Sequence, residues 1–226
     1  MFGPDFTSIA PVPFGAMVQD RPTPTASQPE GEARQGKRAF LSRTNRRRFA
    51  CLQAAAEAVE LLPDDGEAVH LVMSGTYDLM HLLIALLQRF EAPADTMRVA
   101  TLSLSSRNVA EMAALLDAGT IRRLDVLTSD FHCKHDKDIF GELVKELATQ
   151  RGQRVGAARS HCKIVTLALD DGRRYVLHGS PNLRTNKNLE QVCIEQSASL
   201  WSFYDAWIAD MVSKNEIHES GDPETG

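Results

Sequence analysis

Apolar residues recur at helical spacing from Phe49 through Leu52, Ala56 and Val59 to Leu62, and Pro63 with Asp64, Asp65 and Gly66 closes the helix they predict. A short apolar strand, Ala68 to Met73, leads through Ser74, Gly75 and Thr76 into a second helix from about Asp78 to Phe90. That helix is apolar nearly all round, so it must be covered on several sides, and His81 within it reads as a satisfied core histidine rather than a ligand. The pattern returns as strand Met97 to Leu104, turn Ser105 to Asn108, helix Val109 to Leu116 and strand Leu124 to Thr128, with a further helix over Ile139 to Thr149. Lys163 to Leu169 and Arg174 to His178 flank Asp170, Asp171, Gly172 and Arg173, and the Asp-Gly pair predicts a β-hairpin. A last helix spans Leu200 to Val212, with Leu200, Phe203, Trp207 and Met211 on one face as core side chains rather than a base-stacking platform.

Strands alternating with helices of this length predict an α/β domain with helices on both faces of a sheet. Ligands in such folds gather at the carboxyl ends of the strands, where Ser74-Gly75-Thr76 and Ser105-Ser106-Arg107 stand at helix starts. There is no GxGxxG and no GxxxxGK[ST], so both turns read as ordinary caps, not as dinucleotide or P-loop sites.

Composition bounds the rest: 226 residues, 43% hydrophobic and 24% charged, describe a globular chain with a core of its own. Six of the ten prolines precede residue 30, and the segment around them has too few large apolar side chains to offset the entropy of ordering. Residues 1–38 are therefore expected to be a flexible extension with a basic end, 39–212 the folded domain, and 213–226 an acidic disordered tail. The first 20 residues lack a basic start followed by an apolar stretch, and Leu79 to Leu87 falls far short of the roughly 20 residues a membrane helix needs. A cytoplasmic protein with no membrane partner is the expectation. Cys51, Cys133, Cys162 and Cys193 are scattered, with no CxxC pair, and are expected to be reduced thiols.

The formal net charge of -5 conceals an asymmetry. From Arg151 to Asn188 eight basic residues face only Asp170 and Asp171, whereas from Leu189 onward Lys214 alone faces eight acidic ones. A local positive field in an acidic chain fits either an anion site or a solvated basic face, and charge alone favours the latter.

The chemistry-bearing residues cluster on the hairpin. Ser160-His161-Cys162-Lys163 opens it, His178-Gly179-Ser180-Pro181-Asn182 closes it, and Asn186-Lys187-Asn188-Leu189-Glu190 follows. Residues two apart on a strand share a face, so His161 and Lys163 are expected to point into one site, to which the returning chain adds Ser180 and Asn182. A nucleophile, a permanent cation and neutral hydrogen-bond donors suit an anionic, oxygen-rich centre, above all a phosphodiester, with no metal or cofactor required.

In these residues the chain resembles the phospholipase D superfamily, whose signature is HxK, a hairpin, then GSxN. HxK is His161 and Lys163, GSxN is Gly179, Ser180 and Asn182, and the family's later glutamate matches Glu190. The close match covers His161 to Glu190, and the order of strands and helices is compatible over roughly 39–212. The resemblance implies a phospholipase D-like α-β-α sandwich with a mixed central sheet. It also implies that His161 attacks phosphorus to form a phosphohistidine, that Lys163, Ser180 and Asn182 hold the phosphate oxygens, and that Glu190 orients the imidazole. One departure stands out: the family's Asp would fall at Ala168. Asp170 or Asp171 could substitute, but both fit a turn better, and the tyrosyl-DNA phosphodiesterase branch lacks that Asp too.

Superfamily sites use two HxK motifs to provide nucleophile and acid, and this chain carries one complete motif. His132-Cys133-Lys134 and His135-Asp136-Lys137 also spell HxK, yet no GSxN follows either at hairpin distance, so they read as loop residues, with supply of the acid by one of them as the alternative. A homodimer contributing two copies of His161 is the simpler expectation. A zinc set drawn from His132, Cys133, His135, His161 and Cys162 matches no common spacing, and Lys163 opposes it. His178 is ambiguous between the site and a structural role.

The expected function is thus a metal-independent phosphodiesterase, foremost a nuclease acting on DNA more than RNA as a homodimer. A phospholipase or phosphatidyltransferase and a catalytically inactive nucleic-acid-binding protein are the alternatives.

Overall fold

The structure, a computed structural model, describes residues 43–73, 75, 77–184 and 188–217, with the backbone alone for 43–50. The extension expected over 1–38 lies outside the described residues, as does the part of the tail expected over 213–226 that follows 217, whereas 213 and 214 belong to a helix and 215–217 are ordered against the sheet.

Seven strands form one mixed sheet in the order β1-β7-β6-β5-β2-β3-β4. They are β1 (Ala68–Met73), β2 (Ala94–Ala100), β3 (Ile121–Ser129), β4 (Arg154–Ala158), β5 (Ile164–Leu169), β6 (Arg174–Gly179) and β7 (Glu190–Gln196). β2, β3 and β4 run parallel, and every other neighbouring pair is antiparallel. On one face lie α1 (Arg43–Ala58), α2 (Leu79–Arg89), α3 (Ser106–Asp117) and α5 (Lys137–Leu143), and the other face receives α6 (Ala198–Lys214). The expected α-β-α sandwich is therefore the architecture.

The larger core sits under α1, α2, α3 and α5, where β-strand residues Met97, Leu124, Leu167 and Tyr175 pack with Met80, Leu83 and Met112, all essentially excluded from solvent. Each such side chain contributes about 1.5–3 kcal/mol by leaving water. The smaller core under α6 is built on Ile164, Val176, Ile208 and Val212. No helix among the described residues is long and apolar enough to cross a membrane.

Local chemistry sets the helix starts. Asp78 caps α2: its carboxylate accepts from the His81 amide at 2.9 Å and its own amide donates to His81 Nδ1 at 3.3 Å. His81 is thus the satisfied, buried histidine expected from the pattern, with Arg107 against its other nitrogen. Ser105 caps α3 in the same way with Asn108.

Several elements differ from the sequence expectations. α1 begins at Arg43 and ends at Ala58, before Leu62. β2 ends at Ala100, and residues 101–104 form a buried lead into the α3 cap. A short helix, α4 (Asp130–His135), replaces the expected loop, and the helix expected over 139–149 starts at Lys137 and widens into π-helical turns over Val144–Thr149. β4 and β7 have no counterpart in the expectations. On α6, Leu200, Trp207 and Met211 pack against the smaller core as expected, Ile208 and Val212 are buried deepest, and Phe203, 66% exposed, is not core. Past α6, Glu216 bridges Gly156 and the Ile217 amide donates to Val155 O, so the chain continues alongside β4.

Candidate active site

The strand directions put the carboxyl ends of β1, β2, β3, β4 and β6 at the same end of the sheet as the beginnings of β5 and β7. Every residue of the motif lies there. His161 and Lys163 immediately precede β5, Ser180 and Asn182 follow β6, and Glu190 opens β7.

His161 and Lys163 do meet, though not by strand parity, because residues 161–163 precede the strand. Lys163 Nζ lies 3.0 Å from His161 Nδ1 and donates to His161 O at 3.1 Å, so the lysine folds back over the preceding histidine. An ammonium has only protons to give, so Nδ1 accepts and a neutral imidazole carries its proton on Nε2. The hairpin then brings the second half of the motif to the first: Gly179 N donates to Lys163 O at 3.3 Å. Ser180 is fastened to β7, its amide donating to Gln191 O at 3.0 Å and its hydroxyl accepting from Gln191 N at 3.0 Å. The same hydroxyl donates to Glu190 Oε2 in a short contact. Glu190 therefore holds Ser180 in this arrangement, while His161 is held by Lys163.

Two openings flank these residues. His161 lines a cleft of about 700 Å³ with Phe131, Lys134, His135 and Arg159. Asn182 and Glu190 line a much narrower one with Tyr77, Asp78 and Arg184, where burial pushes the Tyr77 phenol above its ordinary range. Asn182 Oδ1 is shut away with no hydrogen-bond partner among the described residues, a condition that functional sites tolerate better than cores do.

The wall of the larger cleft is what the sequence reading missed. α4 presents Phe131, 56% exposed, with its ring tilted against His135 at 4.1 Å between centroids. His132 points the other way, fully buried, with Nδ1 2.9 Å from Asp136. Of the two stray HxK histidines, only His135 shares the cleft with His161. The short Ser129 cap, whose hydroxyl accepts from the His132 amide, was the available signal for α4. His132, Cys133, His135, His161 and Cys162 form no ligand set among the described residues, and Cys133 is a thiol whose pKa burial raises.

The basic window divides. Arg151 pairs with Asp117 and Glu146, Arg154 with Asp125, and Arg173 with Asp171, so three of its cations serve the fold. Arg159 and Lys163 remain beside His161, and Lys187 lies outside the described residues. Asp170 chelates Arg122 at the far turn of the hairpin, seven residues or about 23 Å of extended chain from Lys163, so neither turn aspartate reaches the site.

No family model matches the chain, and no curated protein matches it. Solved structures do. A phospholipase D family member, Nuc from Salmonella typhimurium, is similar at 13% identity and TM-score 0.49, over 68% of this chain and all of that one. NucT from Helicobacter pylori is similar at 15% identity and TM-score 0.49, over 67% of this chain and all of that one. Phosphatidylserine synthase from Haemophilus influenzae is similar at 15% identity and TM-score 0.45, over 66% of this chain but 39% of that one. At these scores the overlaps carry no argument about chemistry. The case for phospholipase D-like chemistry rests on the side chains of this chain's HxK, GSxN and Glu190.

Proposed function

We propose that the chain is a metal-independent phosphodiesterase in which His161 is the nucleophile. The observation that carries this reading is the junction of β5 and β6: the Gly179 amide on Lys163 O ties the histidine-lysine pair to the Ser180 and Asn182 turn. In the reaction, Nε2 of His161 attacks phosphorus and the bond to the leaving oxygen breaks as an acid protonates it. Water then hydrolyses the phosphohistidine and regenerates the imidazole. An arriving phosphate draws the Lys163 ammonium from Nδ1 onto its non-bridging oxygens, which frees Nδ1 for the tautomer that attack through Nε2 requires. Glu190, released from Ser180, is the group the resemblance assigns to hold that tautomer.

Nucleic acid is the favoured substrate, DNA before RNA. Lys134 and Arg159 supply cations beside His161, and the exposed Phe131 ring, tilted against His135, offers apolar surface to an unpaired base. The second histidine comes from a second copy of the chain. Val72 and Leu189, 73% and 75% exposed, border the Glu190 end of the site and give a homodimer apolar surface to bury. A single-chain reading has one observation of its own, His135 on the wall of the same cleft.

The test is a cleavage assay in EDTA that offers plasmid, single-stranded oligonucleotide and phospholipid vesicles to the same preparation. His161→Ala is expected to lower turnover at least ~1,000-fold and Lys163→Ala at least ~100-fold, with folding kept. Diluting the wild-type chain with exchanged His161→Ala distinguishes shared from single-chain sites: activity should fall as the square of the wild-type fraction if one centre needs both copies of His161, and only in proportion to it if each chain works alone. If His135→Ala alone abolishes turnover in a monomer, the single-chain reading stands. Cleavage of vesicles in preference to DNA would reassign the substrate, and DNA binding without turnover would make the chain a binding protein.

A further inference from the structure

Away from the His161 cleft, the register of the sheet lines up three metal-seeking side chains across three adjacent strands. His70 of β1 pairs with Cys193 of β7, and Cys193 pairs with His178 of β6, so the three share one face. Glu195, two residues along β7, falls on that face too. One ligand atom each from His178, Cys193 and Glu195 lies within 4.8 Å of the others, and His70 Nε2 is 4.0 Å from Cys193 Sγ. α6 covers the middle of this face, with Tyr204 as its near ring 6.5 Å from His178, and does not pack over β1. Cys193 is buried while His70 is exposed, which leaves the cluster open on one side.

We infer that His70, His178, Cys193 and Glu195 form a binding site for a borderline-soft divalent cation, zinc above all. The donor set decides the class. Two imidazoles, a thiolate and one carboxylate suit zinc or cobalt in tetrahedral geometry, whereas calcium and magnesium take oxygen donors. The thiolate and the carboxylate together balance the charge of the ion. Burial and the neighbouring Glu195 raise the Cys193 pKa. Binding then breaks the S–H bond, forms the metal-sulfur bond and releases the proton to solvent. The ion would fasten β1, an edge strand, to β7 and β6, the strands from which Glu190 and Ser180 emerge. The inference does not rest on the proposed reaction, which needs no metal.

Chelator-treated full-length chain titrated with cobalt(II) tests it. The expected result is one equivalent bound, with the visible bands of a tetrahedral ion and a near-ultraviolet thiolate charge-transfer band, all displaced by zinc. Cys193→Ser should lose the charge-transfer band and weaken binding more than tenfold. His70→Ala, at an exposed position and so without folding risk, should weaken it as well. Zinc should raise the melting temperature of the wild-type chain and not that of Cys193→Ser. No tetrahedral spectrum in the folded wild-type chain, or a thiolate band that survives Cys193→Ser, overturns the site. A variant that binds no metal yet still turns over substrate in EDTA leaves the phosphodiesterase reading untouched, so the two can fail separately.

Discussion

Gly179 lies directly against Gln191: a Cβ at position 179 would stand 2.1 Å from the Gln191 carbonyl oxygen and 2.9 Å from Val192 Cα. Both neighbours are backbone, so no side chain can move aside. The glycine of the GSxN motif is thus explained by the close passage of β7, which also docks Ser180 through two hydrogen bonds to Gln191. Gly179→Ala must push β6 and β7 apart. It should lower the stability by about 1–3 kcal/mol in a denaturant melt and reduce turnover through displacement of Ser180. An unchanged melt would contradict this packing.

Asp125 organises a different region, the sheet face under α6. Its carboxylate receives Arg98 of β2 at 2.7 Å and Arg154 of β4 at 2.6 Å, and Arg98 also reaches Asp205 of α6. Asp125 is itself buried, so its replacement by Ala leaves two guanidinium groups without their shared counter-charge. Because Arg98 keeps Asp205 and Arg154 is partly exposed, Asp125→Ala should destabilise by about 1–3 kcal/mol. Because the network is remote from the motif residues, cleavage per folded molecule should stay the same. Loss of activity without loss of stability would place Asp125 in the site instead.

How far the sequence led depended on whether local or long-range physics decided each element. α2 was legible because Asp78 and His81 stand three apart before a long apolar run, and the β5–β6 hairpin because Asp171-Gly172 supplies a residue at φ 95. β7 was not, since Glu190, Gln191, Glu195 and Gln196 leave only three apolar residues between them, and its strand character comes from pairing on both sides with β1 and β6. Within the expected α6 face only Phe203 was misplaced, because a helix carrying Leu200, Trp201, Phe203, Tyr204, Trp207 and Ile208 offers two apolar stripes, and packing on the sheet decides which residues are buried. The motif residues themselves were legible as a spacing. Phe131 was not, and His135 only as a loop residue or alternative acid, because their place on the cleft depends on where the carboxyl end of β3 meets the start of β5.

The exposed carboxylates Asp117 and Asp171 give the stability a defined acid limb. Hydrogen bonds from Arg151 hold Asp117 below the usual carboxylate range, and hydrogen bonds from the Arg173 side chain and amide do the same for Asp171. A carboxylate whose folded pKa is depressed adds stability above its unfolded value, about 3.9, and that contribution is lost as pH falls through the folded value. The melting temperature of the wild-type chain should therefore exceed that of Asp171→Asn by a constant margin from pH 7 to 5. The margin should shrink as pH falls below about 4 and also shrink in high salt. A margin that widens on acidification would reverse the assigned sign.

Ala168 occupies the position of the superfamily aspartate, and its setting predicts that the aspartate cannot simply be restored. The residue is 4% exposed in β5, paired with Thr96 of β2 and Arg174 of β6. It lies five residues beyond Lys163, about 16 Å along an extended strand, too far to touch a phosphate held there. The nearest cation in register, Arg174, already donates to Leu169 O and Arg173 O and stacks over Trp201, so it is not free to neutralise a new charge. Ala168→Asp should therefore cost about 3–5 kcal/mol, the penalty of an uncompensated buried carboxylate, and should give no gain in cleavage rate per folded molecule. A stable Ala168→Asp variant with faster cleavage would mean that Arg174 turns to meet the carboxylate and that the hairpin transmits this to Lys163. The double variant Ala168→Asp with Arg174→Ala separates those outcomes, since only in that case would removing Arg174 abolish the gain.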